Sequence, residues 1–325
     1  MLLSFLLRHL VRRGTLRLID SRGQTHVFTG EPGETVTVRL HDAKLERDLF
    51  FNPRLKLGEA YMDGRLTVEG GDIYDFLDFL GLNIMLAPPG ILTPLYNGFG
   101  KLLRQYQQYN PLGRARQNVA HHYDLSDTLY DLFLDSDRQY SCAYFSTPDL
   151  PIDAAQANKK RHIASKLMLQ PGQRVLDIGC GWGGLALSLA KECEVEVLGL
   201  TLSTEQLQVA RRRAAAAGLA DRVRFELLDY RQAGGSYDRI VSVGMFEHVG
   251  VNHYPTFFRQ VKTLLKDDGA ALIHSIGRAD GPGATNPWIR KYIFPGGYSP
   301  ALSVVVPVVE RSGLWISAIE VLRLH

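Results

Sequence analysis

Three glycines in the stretch VLDIGCGWGG, residues 175–184, have a spacing that suits a cofactor with a nucleoside group. Gly179, Gly181 and Gly184 form a G-x-G-x-x-G pattern, with Gly183 beside the last glycine and Asp177 two residues before the first. Glycines at a turn from a strand to a helix let a ligand approach the backbone closely. The spacing alone is a weak signal, so the kind of cofactor must be inferred from polar residues at neighbouring strand ends.

The end of the second predicted strand distinguishes two kinds of cofactor. A nicotinamide site needs an acidic side chain there for the ribose hydroxyl groups. Here the strand ends in LTLS, which argues against a dehydrogenase and leaves Thr201 and Gln206 as candidates for contact with a ribose. Asp177 agrees better with a methyltransferase, because such enzymes commonly have an acid near the amino-acid end of S-adenosylmethionine. We therefore predict S-adenosylmethionine as the cofactor.

The third predicted strand ends in Asp229, Tyr230 and Arg231. These residues would lie at the carboxyl edge of a parallel sheet, where the adenine of such a cofactor binds. The alternative is that they only cap the loop.

The elements that must position these groups alternate between helices and short apolar strands from about residue 155 onward. The first such helix is predicted over 155–168, and the segment YPTFFRQVKTLLKD predicts a helix before the strand GAALIHSIG. Short apolar runs of this kind fit strands buried on both faces of a parallel sheet. The sequence predicts a doubly wound, mostly parallel α/β domain of the Rossmann-like class I methyltransferase type.

The first part of the chain has a different pattern. Residues 15–70 contain short strand-like runs separated by Gly and Pro, and a helical pattern follows with Ile73, Phe76, Leu77 and Leu80. We predict a small α+β domain over 1–95 that associates with lipid or membrane. A Pro- and Gly-rich stretch gives a linker over 96–114, and the methyltransferase domain occupies 115–325.

Composition excludes some classes of protein. The 325 residues are 45% hydrophobic and carry a formal charge of only +3, which gives no reason to expect a nucleic-acid partner. Three cysteines without metal-ligand spacing fit a reducing cytoplasm rather than a disulfide framework. His121 and His122 are adjacent and have no acid or cysteine at ligand spacing, so we predict no metal site.

The first fourteen residues, MLLSFLLRHLVRRG, have the pattern of a basic amphipathic helix. Arg8 interrupts the apolar run, which is too short to span a membrane, and the charges follow the apolar part rather than precede it as in a secretory signal. The helix could lie on an anionic membrane surface or could dock on its own domain.

Seven strings in order resemble one family of enzymes: HHYDLSDTLYDLFLD, YSCAYF, LDIGCGWGG, GLTLS, GMFEHVG, LIHSIG and IFPGG. They are similar to the cyclopropane-fatty-acyl-phospholipid synthase and mycolic acid cyclopropane synthase family. The similarity runs from about residue 115 to the end, and LGEAYMDGRL extends it to the first half. It implies transfer of a methylene from S-adenosylmethionine to the cis double bond of an unsaturated acyl chain.

The resemblance also implies the reacting groups. In this family a bound bicarbonate ion is the base, and its ligands map onto Cys142, Glu247, His274 and the backbone at Ile276. Taken singly, Cys142 could be a small buried hydrophobe, Glu247 a helix cap and His274 a core histidine.

Further residues are implied around the substrate and the cofactor. By resemblance Tyr123, Tyr140 and Ser141 line and close the cofactor pocket. An aromatic set could line an acyl channel or pack in the core: Phe133, Tyr144, Phe145, Phe246, Trp288, Tyr292 and Phe294.

The expected partners are a phospholipid membrane surface and an unsaturated acyl chain, with a homodimer left open. The expected location is the cytoplasm, peripheral to the inner membrane face. Two alternatives remain, namely C- or N-methylation of another substrate and a non-catalytic lipid-binding relative. Because the family ordinarily continues beyond LRLH with a segment that supplies a catalytic tyrosine, we expect the methyltransferase domain to be C-terminally incomplete. The chain would then be a fragment or a truncated relative with reduced or no turnover.

Overall fold

The computed structural model describes residues 2–87 and 127–322. Within these ranges, residues 2–87 and 285–293 form one compact unit, and residues 127–284 and 294–322 form a second. The predicted linker over 96–114 lies outside the described residues, as do Tyr123, His121 and His122.

The first unit is a four-stranded sheet with helices, in agreement with the predicted α+β module. Its strands have the order β2-β1-β3-β4, in which β1 and β3 are parallel and the outer pairs are antiparallel. The strands are β1 Arg13–Ile19, β2 Thr25–Thr29, β3 Glu31–Leu40 and β4 Leu66–Glu69, and the helices are α1 Leu2–Leu10, α2 Ala43–Phe51, α3 Pro53–Met62 and α4 Ile73–Leu86. Helix α4 begins at a capping box in which Asp72 and Asp75 each accept a hydrogen bond from the other's backbone N–H.

The amphipathic start of the chain docks on its own unit. Leu3, Leu7 and Val11 are buried in the same apolar core as the sheet, whereas Phe5 and Arg8 are exposed. The apolar face of α1 therefore packs in the core of the first unit, in agreement with the prediction that this helix docks on its own domain. No helix in the ranges 2–87 and 127–322 is long and apolar enough to cross a bilayer.

The excursion 285–293, a segment between two parts of the second unit, packs within the first unit. It contains a short π-helical turn, Ile289–Ile293. The Trp288 ring lies so close to Gly58 that a Cβ atom there would be 2.5 Å from its Nε1. Trp288 Nε1 also donates to Met62 Sδ at 3.3 Å, so the excursion is held by both packing and a polar contact.

The second unit confirms the predicted Rossmann-like fold. All of its strand pairings are parallel, and the sheet order is β7-β6-β5-β8-β9. The strands are β5 Arg174–Ile178, β6 Glu196–Thr201, β7 Val223–Leu227, β8 Tyr237–Val243 and β9 Leu265–His274. The helices are α5 Asp127–Asp131, α6 Ile152–Leu167, α7 Gly184–Cys193, α8 Thr204–Ala216, α9 Tyr254–Leu264 and α10 Leu302–Arg311. Strand order reverses between β5 and β8, and ligands bind at such a reversal in α/β sheets.

Two apolar cores form against this sheet. Ile163, Leu189 and Ala210 of helices α6, α7 and α8 belong to one, and Phe257 and Val261 of α9 belong to the other. Residues of β5 and β8 contribute to both cores because these central strands are covered by helices.

Two predicted boundaries are wrong. Helix α6 begins at Ile152, three residues before the predicted start of the helix over 155–168. Helix α9 ends at Leu264 and β9 begins at Leu265, four residues before the predicted strand. Leu265 pairs with Tyr237 of β8, and an irregularity in the register then precedes the pairing of Ala270 with Arg239. Tertiary strand pairing thus overrides the turn-like sequence KDDG.

Candidate active site

A pocket opens at the carboxyl ends of β5, β6, β7 and β8 in the second unit. It brings together nearly all the predicted cofactor residues described by the structure: Tyr140, Ser141, Asp177, Gly179, Gly181, Gly184, Thr201, Gln206, Asp229, Tyr230 and Arg231. Gly183 lies in the same turn but is not among the lining residues, and Tyr123 lies outside the described residues.

The glycine turn after β5 requires residues without a Cβ atom. Gly179 has a φ of +87°, and a Cβ there would lie 2.7 Å from the Met245 side chain. Gly181 also has a positive φ, of +55°, but a Cβ there would meet nothing within 4 Å. Gly183 instead approaches the buried Phe225 ring, so it serves packing rather than the pocket. The turn thus combines left-handed backbone with open space beside Gly181.

Asp177 contributes a buried carboxylate to the pocket. It is only 2% exposed, and its Oδ2 atom has no hydrogen-bond partner among the described residues. Burial raises its pKa from 3.8 to about 7. A buried carboxylate with no cation beside it is costly in a folded protein. These properties fit a ligand that carries a positive charge, as the amino-acid end and sulfonium of S-adenosylmethionine do.

Two polar pairs define the far side of the pocket. The Thr201 hydroxyl donates to Gln206 Oε1 at 3.0 Å, and both residues are buried. Asp229 accepts hydrogen bonds from Arg231, including one from the backbone N–H at 3.0 Å and one from the guanidinium Nε at 2.8 Å. Asp229 and Arg231 therefore cap the turn, as one alternative held, while they also line the pocket.

The wall formed by residues 139–141 is fastened by helix α6. Gln156 Nε2 donates to the Ser141 carbonyl at 2.9 Å, and Lys159 Nζ donates to the Ser141 hydroxyl at 2.7 Å. Both α6 residues are buried. Sequence reasoning missed them, because Gln and Lys on a helix ordinarily face solvent and the contacting residues are fifteen or more positions away.

Glu247 lies in the turn after β8 that also lines the pocket through Met245 and His248. Its Oε1 accepts a hydrogen bond from the Ile276 N–H at 2.7 Å, and its carbonyl accepts one from the Tyr298 N–H at 2.9 Å. Glu247 is 9% exposed, and its Oε2 has no hydrogen-bond partner in the described ranges. Burial raises the pKa of this carboxyl above its ordinary value. The Ile276 N–H, expected to face an anion, is therefore engaged by Glu247.

His274 is the last residue of β9, and its buried Nδ1 atom also lacks a partner in the part of the chain that the structure describes. Burial lowers the pKa of His274, and the positive charge of Lys159 lowers it further. Cys142 follows Ser141 directly and is exposed. Lys159 therefore interacts electrostatically with both Cys142 and His274.

The aromatic residues predicted to line an acyl channel or pack in the core are divided between the two units. Phe246 is a core residue whose ring stacks on Tyr254 with 4.4 Å between centroids. Trp288 and Tyr292 belong to the first unit. Trp182, by contrast, was missed although it lines the pocket and is buried. Its place inside the glycine turn was the signal that could have found it.

A parallel sheet in this order, with a glycine turn after β5 and a buried acid at its base, defines a class I S-adenosylmethionine-dependent methyltransferase. Comparison with known families gives the narrower assignment. The chain belongs to the mycolic acid cyclopropane synthetase family, whose model matches residues 111–325.

Curated relatives cover most of the chain. A probable fatty acid methyltransferase of Pseudomonas putida is 36% identical over 304 residues, which are 90% of this chain and 74% of that protein. The cyclopropane-fatty-acyl-phospholipid synthase of Escherichia coli is 41% identical over 260 residues, 79% of this chain. The match spans 65% of the Escherichia coli protein.

Solved structures agree with the family assignment. The cyclopropane synthase MmaA2 of Mycobacterium tuberculosis aligns with a TM-score of 0.59 at 34% identity, over 65% of this chain and 77% of that one. The mycolic acid cyclopropane synthase CmaA1, complexed with SAH and CTAB, aligns with a TM-score of 0.59 at 35% identity, over 65% of this chain and 78% of that one. S-Adenosylhomocysteine, the SAH of that complex, is the demethylated form of the cofactor predicted from the glycine turn.

Proposed function

We propose that this chain transfers a methylene group from S-adenosylmethionine to the cis double bond of an unsaturated phospholipid acyl chain, forming a cyclopropane ring. The observation that carries the proposal is a pair of buried polar atoms without partners among the described residues, Glu247 Oε2 and His274 Nδ1. Glu247 follows β8 and His274 ends the adjacent strand β9, at the edge of the sheet that carries the cofactor pocket. Relatives named cyclopropane synthases support the same reaction class.

The cofactor, when bound, supplies an electrophilic methyl group on a sulfonium centre. Asp177 would hold its positively charged end, since this carboxylate is buried and has an oxygen without a partner in the described ranges. Thr201 and Gln206 would face its ribose, and Tyr230 its adenine, as their positions in the pocket wall suggest. The chain thereby fixes the direction of transfer and excludes water from the methyl group.

Ring closure needs a base after methyl transfer. An alkene that gains a methyl cation becomes a carbocation, and loss of a proton from the new methyl group closes the three-membered ring. Because burial raises the pKa of Glu247, this carboxyl is suited to exchange a proton with an anion held between it and His274. We propose that this anion is bicarbonate, that it accepts the proton, and that Cys142 completes its surroundings.

A bilayer substrate requires a docking surface, and we propose that the first unit supplies it. Phe5 and Arg8 of α1 are exposed, and α4 exposes Tyr74 and Met85. Exposed apolar side chains, together with an exposed arginine, suit an anionic phospholipid surface. In a flotation assay, Met85→Ser is expected to lower binding to anionic vesicles, whereas Val27→Ser, at another exposed apolar position, leaves binding unchanged. Equal loss in both variants would reject this surface.

A second candidate reaction is methylation of the acyl chain without ring closure. The Pseudomonas putida relative, named a probable fatty acid methyltransferase, favours it. In that case the proton is lost from a different carbon and a double bond remains.

Product analysis separates the two reactions. The protein is incubated with vesicles of unsaturated phospholipid and S-adenosylmethionine, and the acyl chains are analysed by mass spectrometry and proton NMR. Both reactions add one methylene in mass, because their products are isomers. Cyclopropane proton signals with loss of the olefinic signals support the proposal, whereas retained olefinic signals with a new methyl group support the second candidate. Cofactor binding without any product would identify a non-catalytic lipid-binding relative.

A further inference from the structure

Lys159 is a buried cation beside the reacting groups, and the mechanism above does not use it. Only 5% of the residue is exposed, although lysine is among the residue types that are most rarely buried. Its Nζ donates to the Ser141 hydroxyl at 2.7 Å. Burial of an ammonium is costly because the charge loses its solvation, so Lys159 is more than a surface residue of its helix.

Helix α6 directs this ammonium group at one short segment. Gln156, three residues earlier on the same face, donates to the carbonyls of Ser141 at 2.9 Å and Gln139 at 3.3 Å. The segment 139–141 lines the cofactor pocket, and Cys142 follows it directly. Two side chains of one helix thus fix the segment that joins the cofactor pocket to the proposed base site.

The charged groups around Lys159 come from several elements. Burial lowers its pKa to about 8, and Lys160 acts in the same direction. Asp135, Asp137 and Cys142 act in the opposite direction, and they keep a substantial part of the ammonium protonated at neutral pH. The charge reaches His274 as well, whose pKa it lowers after the larger effect of burial.

We propose that Lys159 is a positioning residue of the reacting site, which anchors Ser141 at the cofactor pocket and places a positive charge near His274. The proposal rests on the proposed function for its catalytic meaning. The charge has a second consequence, since a cation next to Cys142 and His274 favours an anion at that place over a vacant or water-filled one. Lys159 thereby acts on the cofactor pocket through Ser141 and on the proposed base site through its charge.

The matched pair of variants is Lys159→Met and Lys166→Met. Both remove an ammonium from helix α6, but Lys166 is partly exposed and pairs with Glu320. Histidine side chains are labelled with ¹³C and titrated by NMR, and His274→Asn identifies the signal of His274. In Lys159→Met the pKa of His274 is expected to rise, and kcat is expected to fall roughly 10- to 100-fold because Ser141 loses its anchor. Lys166→Met is expected to change neither quantity.

A pKa of His274 that is the same in folded Lys159→Met and in the unaltered protein would overturn the proposal. If Lys159→Met does not fold, the unaltered protein still decides. Because the pKa of Lys159 lies at about 8, the NMR signal of His274 is expected to show a second, smaller inflection near that pH. Its absence would overturn the proposal equally.

The titrations need no turnover, so they distinguish two failures. A protein that makes no cyclopropane but shows the shifted His274 pKa would contradict the proposed function alone. Cyclopropane formation with an unshifted His274 pKa would contradict the role of Lys159 alone.

Discussion

Each of the two units contains a buried carboxylate, and the two differ in whether a cation lies beside them. Glu59 of the first unit, 5% exposed, accepts hydrogen bonds from Lys56 at 2.7 Å, Lys291 at 2.6 Å and Tyr292 at 3.0 Å. The Lys291 and Lys56 ammonium groups lower its pKa from 4.5 to about 2. Asp177 of the second unit is just as buried, yet burial without a cation raises its pKa to about 7.

Glu247 resembles Asp177 rather than Glu59. One of its oxygens accepts the Ile276 N–H and the other has no partner among the described residues. A carboxylate whose partners come from the protein stabilises the fold, whereas one that lacks a partner is available to a ligand or a proton. We therefore distinguish Glu59, a structural carboxylate, from Asp177 and Glu247, which are functional ones.

Glu247→Gln is expected to have the largest effect. The amide keeps the shape of the side chain but can neither bind nor release a proton, so kcat should fall by roughly 10²- to 10⁴-fold. Cofactor affinity, measured by calorimetry, should change little because Asp177 and the glycine turn are intact. Glu192→Gln, at an exposed position of α7, is the control and should retain full activity.

The opposite pattern would contradict the assignment of Glu247. If Glu247→Gln turns over normally, or loses cofactor binding to the same degree as activity, the carboxyl has no separate part in the reaction.

Asp177→Asn is expected to weaken cofactor binding and to make the ligand-free protein more stable. Loss of the buried charge should weaken cofactor binding by roughly 10- to 100-fold. The ligand-free variant should be more stable than the unaltered protein at pH 8, by roughly 1–3 kcal/mol, since the penalty for a charged buried carboxyl is removed. Calorimetry gives the affinity, and denaturant unfolding of the ligand-free proteins gives the free energy.

The sign of that stability difference depends on pH. A raised pKa imposes no penalty below the ordinary value of 3.8, and the penalty is complete only above about 7. The advantage of Asp177→Asn should therefore shrink as the pH falls from 8 to 4. A variant that is less stable at pH 8 would show that Asp177 has a structural role like that of Glu59.

Glu59→Gln should destabilise the first unit by roughly 1–3 kcal/mol, because the amide has no negative charge and only one acceptor oxygen, so Lys56 and Lys291 can no longer both donate to it. Denaturant unfolding measures the loss, and the exposed Glu34→Gln is the control. Because the pKa of Glu59 is lowered, its contribution is complete above pH 4.5 and is lost as the pH falls towards 2. Unchanged stability at pH 7 would show that Glu59 does not stabilise the first unit.

The smallest expected effect is a pH dependence of cofactor affinity. Protonated Asp177 attracts a cation less than the carboxylate does, so affinity should rise with pH and level off above about 7. Binding isotherms between pH 5.5 and 8.5 would test this, with Asp177→Asn as the flat control. A flat isotherm series for the unaltered protein would mean that Asp177 does not meet the charged end of the cofactor.

Much of the second unit could be predicted from the sequence because its determinants are local. The glycine turn, the missing acid after β6 and the short buried strands are each visible within a few residues, and they gave the fold and the cofactor. The carboxyl ends of parallel strands share one edge, so Asp177, Thr201 and Asp229 could be placed together.

Contacts between distant residues were not predictable in the same way. Lys159 and Glu59 are charged residues on helices, for which the pattern predicts solvent exposure. Their partners Ser141 and Lys291 are 18 and 232 residues away. The sequence left two alternatives for the first helix, a membrane surface or its own domain, and the burial of Leu3 and Leu7 shows that its apolar face packs in the core of its own unit.

The groups around Glu247 and His274 are proposed to promote loss of a proton from the transferred methyl group. S-Adenosylmethionine with a fully deuterated methyl group tests it directly, with unsaturated phospholipid vesicles as substrate and mass spectrometry of the acyl product. We predict a ring methylene that has lost one of its three deuterons. Retention of all three in the product would show transfer of an intact methyl group and would rule out loss of a proton from it.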